Sequence, residues 1–124
     1  MDIKKQLINA AEPHIQDEIC GFICLKEEKY YYVPVKNRSP HPDQFFYISA
    51  IDFLQIQKEH NLIGIFHNHA KEDEMPSQFD KTLGENICFP MVIYSNLSKK
   101  FHIFIPKDID CDVKLVEGLR DRLL

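Results

Sequence analysis

Apolar residues recur along this chain with two different periods, and the change from one to the other marks out its elements. Ile3, Leu7, Ile8 and Ala11 fall three or four residues apart, the stripe of an amphipathic helix running from Asp2 to about Ala11 and stopping before Pro13. Glu18 to Lys26 and Tyr30 to Lys36 read as the two arms of a hairpin turned at Glu27, Glu28 and Lys29. Pro34 has no N–H to give to a ladder, which puts the second arm at an edge or in an irregular position. Phe45 to Ser49 is expected as a short strand. Ser49 then caps a helix, with Asp52 at its third position, that continues to about His60. The unbroken run Leu62, Ile63, Gly64, Ile65, Phe66 predicts a buried central strand, Leu62 to His67. A short helix from Asp80 to about Gly84 follows. Met91 to Tyr94 pairs with Phe101 to Ile105 across Ser95 to Lys100, and an amphipathic helix, Val113 to Leu123, closes the series. Strands and helices interleave throughout, which predicts a compact α/β arrangement with no repeat, low-complexity tract or linker.

Composition narrows the picture. A chain of 124 residues is expected to form one domain able to bury about two-thirds of its unfolded surface. Hydrophobic residues make up 44% of it, as in soluble globular proteins. No stretch approaches the roughly 18 apolar residues of a membrane span. The start, Met1, Asp2, Ile3, Lys4, Lys5, lacks the apolar centre of a signal peptide, so the expected location is the cytoplasm. A net charge of −4 with scattered basic residues argues against nucleic acid as the main partner. Cys20, Cys24, Cys88 and Cys111 show no C-x-x-C spacing, and Cys20 and Cys24 share one face of a presumed strand. Buried reduced thiols are expected in place of disulfides.

The candidate chemistry sits after the central strand: His67, Asn68, His69, seven residues, then Ser77, Gln78, Phe79, Asp80. In extended chain, residues i and i+2 point the same way, so His67 and His69 can converge on one point while Asp80 returns from the next element. Two imidazoles and a carboxylate with an open fourth position make a catalytic zinc set. Each piece alone has an ordinary explanation. H-x-H pairs occur by chance, and Ser77 with Asp80 three residues on also fits a helix-capping box. Glu18, at the edge of the apolar run Ile19 to Ile23, is either a solvent-facing strand end or a carboxylate with a task. The string HNH is not the nuclease signature of that name, which is spread over a ββα unit. A zinc deaminase would need H-x-E and a downstream C-x-x-C, and neither is present.

Taken together, Glu18 to Gly21 as E-x-x-G and His67 to Asp80 as H-x-H-x(7)-S-x-x-D closely resemble the JAMM metalloproteases of the MPN (JAB) domain superfamily. The resemblance spans roughly residues 1 to 106. It implies a mixed β-sheet flanked by helices, a sandwich like that of cytidine deaminase. It also implies Zn2+ held by His67, His69 and Asp80, Glu18 as general base, and Ser77 as donor to the oxyanion. The implied activity is hydrolysis of a peptide or isopeptide bond in a peptide or protein substrate. A non-enzymatic scaffold or phage tail-assembly module, and a cell-wall peptide endopeptidase, are the alternatives that the same superfamily contains.

Departures from the pattern are small. Asn68 stands where serine is usual between the histidines, and Ala70 where a proline often follows, which leaves that loop less restrained. Met75 and Pro76 differ from the tryptophan- or phenylalanine-containing loop of eukaryotic members. Asn37, with Pro40, Pro42 and then Phe45 to Ser49, is similar to prokaryotic members and in particular to the domain in bacteriophage tail-assembly proteins. The acidic run Glu72, Asp73, Glu74 reads first as a solvated loop. Its place between His69 and Ser77 puts it at the rim of the site, where it would favour a basic or lysine-linked substrate. His14, His41, His60 and His102 are expected at surfaces or turns, and Tyr30, Tyr31 and Tyr32 are expected to pack the hairpin.

Overall fold

The computed structural model describes residues 1–87, 89–106 and 113–124. Five strands form one mixed sheet in the order β2-β1-β3-β4-β5: β1 Cys20–Lys26, β2 Lys29–Val35, β3 Leu62–His69, β4 Met91–Ser95 and β5 Phe101–Phe104. Only β3 and β4 run parallel, joined by a crossover through α3 (Gln78–Gly84); the other neighbours are antiparallel. α1 (Ile3–Ala11) and α4 (Val113–Leu123) cover one face, where Ile3, Leu7, Ala11, Leu119 and Leu123 bury their side chains with Ile23, Phe66, Val92 and Tyr94. α2 (Ala50–Glu59) and α3 cover the other, where Phe53, Ile56 and Leu83 pack with Phe22, Ile65 and Ile93.

The β1–β2 hairpin turns in two residues, Glu27 and Glu28, both at positive φ (52° and 66°), with Lys26 paired to Lys29. β2 is an edge strand, as Pro34 implies. Cys20 and Cys24 are buried free thiols on one face; Cys88 and Cys111 lie outside the described residues. A register shift against β1 pairs Ile23 with Gly64 and Cys24 with Leu62, leaving Ile63 as the extra residue of a bulge in β3. Beyond that bulge Ile65, His67 and His69 share the α2–α3 face, while Phe66 and Asn68 turn to the α1–α4 face.

The expected strand at Phe45 to Ser49 does not form: this stretch joins no ladder. The Asn37 side chain serves it in place of a neighbouring strand. Asn37 Oδ1 accepts from Tyr47 N–H at 2.9 Å and its Nδ2 donates to Phe45 O at 3.3 Å. One backbone bond, Arg38 N–H to Tyr47 O at 2.9 Å, completes the pairing. Pro40 and Pro42, with no N–H to give, rule out a longer ladder on this side. The first strand likewise begins at Cys20 and not at Glu18, because the Glu18 and Ile19 N–H groups bond to Pro42 O and to the Asn68 side chain, not to a strand.

Candidate metal centre

β3 delivers two imidazoles to the same point because His67 and His69 lie two residues apart on an extended strand buried from end to end. Their Nε2 atoms are 3.2 Å apart. Asp80 enters from the first turn of α3, with Oδ1 3.0 Å from His67 Nε2 and Oδ2 2.9 Å from His69 Nε2. Helix α3 starts there because Ser77 and Asp80 form a reciprocal capping box: Asp80 N–H donates to Ser77 Oγ at 3.1 Å, and Ser77 N–H donates to Asp80 Oδ2 at 2.9 Å. The cap and the site are therefore one structure, and Ser77 stands half-buried beside Asp80.

Glu18 is buried at 8% exposure, and its Oε1 lies 4.0 Å from His67 Nε2. Ligand atoms of Glu18, His67 and His69 all fall within 4.8 Å of one another. Tetrahedral zinc, with bonds of about 2.0–2.1 Å, separates its donors by about 3.3 Å. His67, His69 and Asp80 stand 2.9–3.2 Å apart, with one Asp80 oxygen facing each ring, slightly inside that separation, whereas Glu18 Oε1 at 4.0 Å from His67 lies outside it. Of the two carboxylates, Asp80 fits as the third ligand and Glu18 as a neighbour one layer out.

The surroundings orient the two imidazoles. His69 Nδ1 faces the Asp73 carbonyl at 2.7 Å, which directs Nε2 into the cluster. The ring of Phe46 stacks on His67 with centroids 4.4 Å apart, and Phe79 and Phe45 extend the aromatic contacts outward. His67 Nδ1 is buried with no hydrogen-bond partner among the described residues. Burial pushes the Glu18 carboxyl up to about 8, against the attraction of His69. Burial also lowers His67, outweighing the pull of Asp80. At His69 burial acts the same way, but the Asp80 carboxylate and the Asp73 carbonyl outweigh it and raise the ring to about 9. Asp80, despite its burial, is held well below the usual carboxylate range by hydrogen bonds from both histidines. Two imidazoles and a carboxylate facing one point are a donor set that suits a divalent metal ion.

The acidic run divides in three. The Glu74 carboxylate accepts from Ser98 Oγ at 2.7 Å, and Asp73 Oδ1 caps Met75 N–H at 3.0 Å while its carbonyl steers His69. The exposed Glu72 carboxylate acts electrostatically on Glu18. His14 and His41 are exposed as expected, and His60 pairs through Nδ1 with Tyr31 OH at 2.7 Å. Two residues were missed by motif reading. Asn68, fully buried, and Asn37 both bond the segment that carries Glu18. For Asn68 the available signal was a polar residue at an inward position of an otherwise apolar strand, which demands partners. A cavity of about 1090 Å3, lined among others by Lys26, Glu28, Tyr30 and Arg122, opens at the opposite end of the sheet and takes no part in this cluster.

A mixed sheet between helices, with a histidine–carboxylate cluster at the end of its central strand, defines a small α/β domain built around a candidate metal centre. The chain belongs to the family of prokaryotic homologues of the JAB domain, which it matches over residues 2–106. It is similar to tail tip assembly protein K of Escherichia phage N15, 28% identical over 78 residues that make up 63% of this chain and 32% of that protein. The match thus spans about a third of that relative's length. Among solved structures it resembles protein DSY2949 from Desulfitobacterium hafniense, with a TM-score of 0.65 over 91% of this chain and 94% of that one. At 21% identity this likeness shows the fold. Among the described residues no helix is long and apolar enough to cross a membrane.

Proposed function

We propose that this domain is a zinc-dependent peptidase or isopeptidase. The observation that carries the reading is the convergence of His67, His69 and Asp80 at 2.9–3.2 Å, with the buried Glu18 one layer farther out. His67 and His69 through Nε2 and Asp80 through its carboxylate would hold the metal. When bound, zinc brings the pKa of a coordinated water from above 15 to about 7 and polarises the scissile carbonyl. Glu18, one layer out from the histidines, would accept a proton from that water and return it to the leaving amine. The Ser77 hydroxyl donates to the oxygen on which charge develops, a contribution worth about 3 kcal/mol in comparable sites. Asp73 keeps His69 in the ligating tautomer. The substrate is a peptide or protein, and the exposed Glu72 favours a basic or lysine-linked segment beside the scissile bond.

The similarity to a tail tip assembly protein supports a second reading, in which the domain serves assembly without turnover. A peptide and isopeptide library assayed with zinc-loaded protein separates the two. Cleavage that is abolished by a chelator, restored by zinc and reduced about 10² to 10⁴-fold in Glu18→Gln supports the enzyme. Glu18→Gln cleaving at the wild-type rate would remove Glu18 from the chemistry, and no cleavage of any linkage would favour assembly.

A further inference from the structure

Glu18 lies outside every strand, so no ladder fixes it, yet three hydrogen bonds hold its backbone. Glu18 N–H donates to Pro42 O at 2.6 Å, Ile19 N–H donates to Asn68 Oδ1 at 2.6 Å, and Asn37 Nδ2 donates to Glu18 O at 2.8 Å. Two of the three come from asparagine side chains. We propose that Asn68 and Asn37 are positioning residues that hold the Glu18 carboxylate at its distance from the two histidines.

Each amide is itself pinned, which makes it a fixed strut. Asn68 Nδ2 donates to Asn96 Oδ1 at 2.7 Å and to His14 O at 3.2 Å. Asn96 is tied in turn to Ala11 O at 2.9 Å and, through its N–H, to His69 O at 3.0 Å. Asn37 Oδ1 accepts from Ser39 N–H at 3.0 Å and from Tyr47 N–H at 2.9 Å. Asn68 stands between the two histidines, with its side chain on the opposite face of β3. One rigid strand therefore presents both imidazoles and, from its back, the strut that sets the base. An amide is needed for this because its oxygen must accept from Ile19 while its nitrogen donates twice. Serine is shorter and has a single proton to donate. The two amides thus tie the segment from Asn37 to Phe45 and the segment from His14 to Ile19 to each other and to β3.

The test combines metal content, cobalt spectroscopy and kinetics on Asn68→Ala and Asn37→Ala. Val116→Ala, a core truncation on the buried face of α4, serves as a control for general destabilisation. Both asparagine variants are expected to bind one metal per chain, since the ligands lie on the other face of β3. Their cobalt-substituted forms should shift the visible absorption in the same direction as Glu18→Gln, while Val116→Ala leaves it unchanged. This arm does not depend on turnover and decides the proposal even if the hydrolytic reading fails. The kinetic arm rests on that reading. There kcat should fall about tenfold to a hundredfold with KM little changed, because misplacing a reacting group by an ångström has effects of that size. In a Glu18→Gln background Asn68→Ala should cost no further rate. Should Asn68→Ala not fold, Asn68→Ser and Asn37→Ala carry the same comparison. Cobalt spectra of the asparagine variants identical to wild type, or rate losses that add in full to Glu18→Gln, would overturn the proposal.

Discussion

Asp80 is engaged on both carboxylate oxygens, by the two histidines and by the Ser77 N–H, and its own N–H is held by Ser77 Oγ. The helix cap and the carboxylate of the histidine cluster are thus the same side chain, and the two readings of S-x-x-D open in the sequence are compatible in the fold. Removing Asp80 would fray the start of α3 as well as the cluster, which makes it a poor probe of chemistry by itself. Glu72 is the cleaner probe, because its carboxylate is exposed while Asp73 and Glu74 are tied into the loop. If it steers a basic substrate, Glu72→Gln raises KM severalfold at low salt with kcat nearly unchanged, and the difference fades as the Debye length shrinks to about 3 Å near 1 M salt. A KM that does not respond to the substitution or to salt would reduce Glu72 to a solvated loop residue. The convergence of His67, His69 and Asp80 was legible in the sequence because spacing on a strand and a cap translates directly into direction. Asn68 and Asn37 were not assigned, because a bond spanning 49 residues to Ile19 leaves no mark at fixed spacing.

The elements were legible wherever their own residues satisfy them, and misread where a distant side chain does. Phe45 to Ser49 has strand-like composition, but Asn37 takes up its backbone groups. β3 extends through His69 because β4 continues alongside, pairing His69 with Ser95. The glycine of the E-x-x-G pattern has a packing reason. A Cβ on Gly21 would meet Val33 O at 2.5 Å and the Tyr32 ring at 2.6 Å. Tyr32 lies over this bare backbone, donates its hydroxyl to Cys20 O at 3.0 Å and stacks edge-on with Phe66. Gly21→Ala should therefore lower the free energy of unfolding by about 1–3 kcal/mol through overpacking, read from urea denaturation. An unchanged urea midpoint would show that β2 can move aside freely.

At the scale of the molecule, two helical layers clamp the sheet, and one ion pair bridges the α1 layer to the β4–β5 connection. Glu12 accepts from Lys99 Nζ at 2.7 Å and from the hydroxyl of Tyr94. The Lys99 ammonium first, then the Tyr94 hydroxyl, hold the Glu12 carboxyl below its ordinary 4.5. A depressed carboxyl stabilises the fold above its unfolded pKa, and that contribution disappears as the pH falls through the folded value. Lys99→Ala should therefore lower Tm at pH 7 and leave it unchanged near pH 2. Both partners are partly exposed, which limits the effect to about 1 kcal/mol. Equal losses at both pH values would assign the effect to packing by the lysine stem.

The central claim is that His67, His69 and Asp80 form one zinc site at the end of β3, with Glu18 outside the coordination shell. Elemental analysis after zinc reconstitution and removal of excess metal tests it most directly. About one zinc per chain is predicted for the wild type and for Glu18→Gln, and close to none for His67→Ala. No zinc in the wild type, or the same zinc in His67→Ala as in the wild type, would contradict the account.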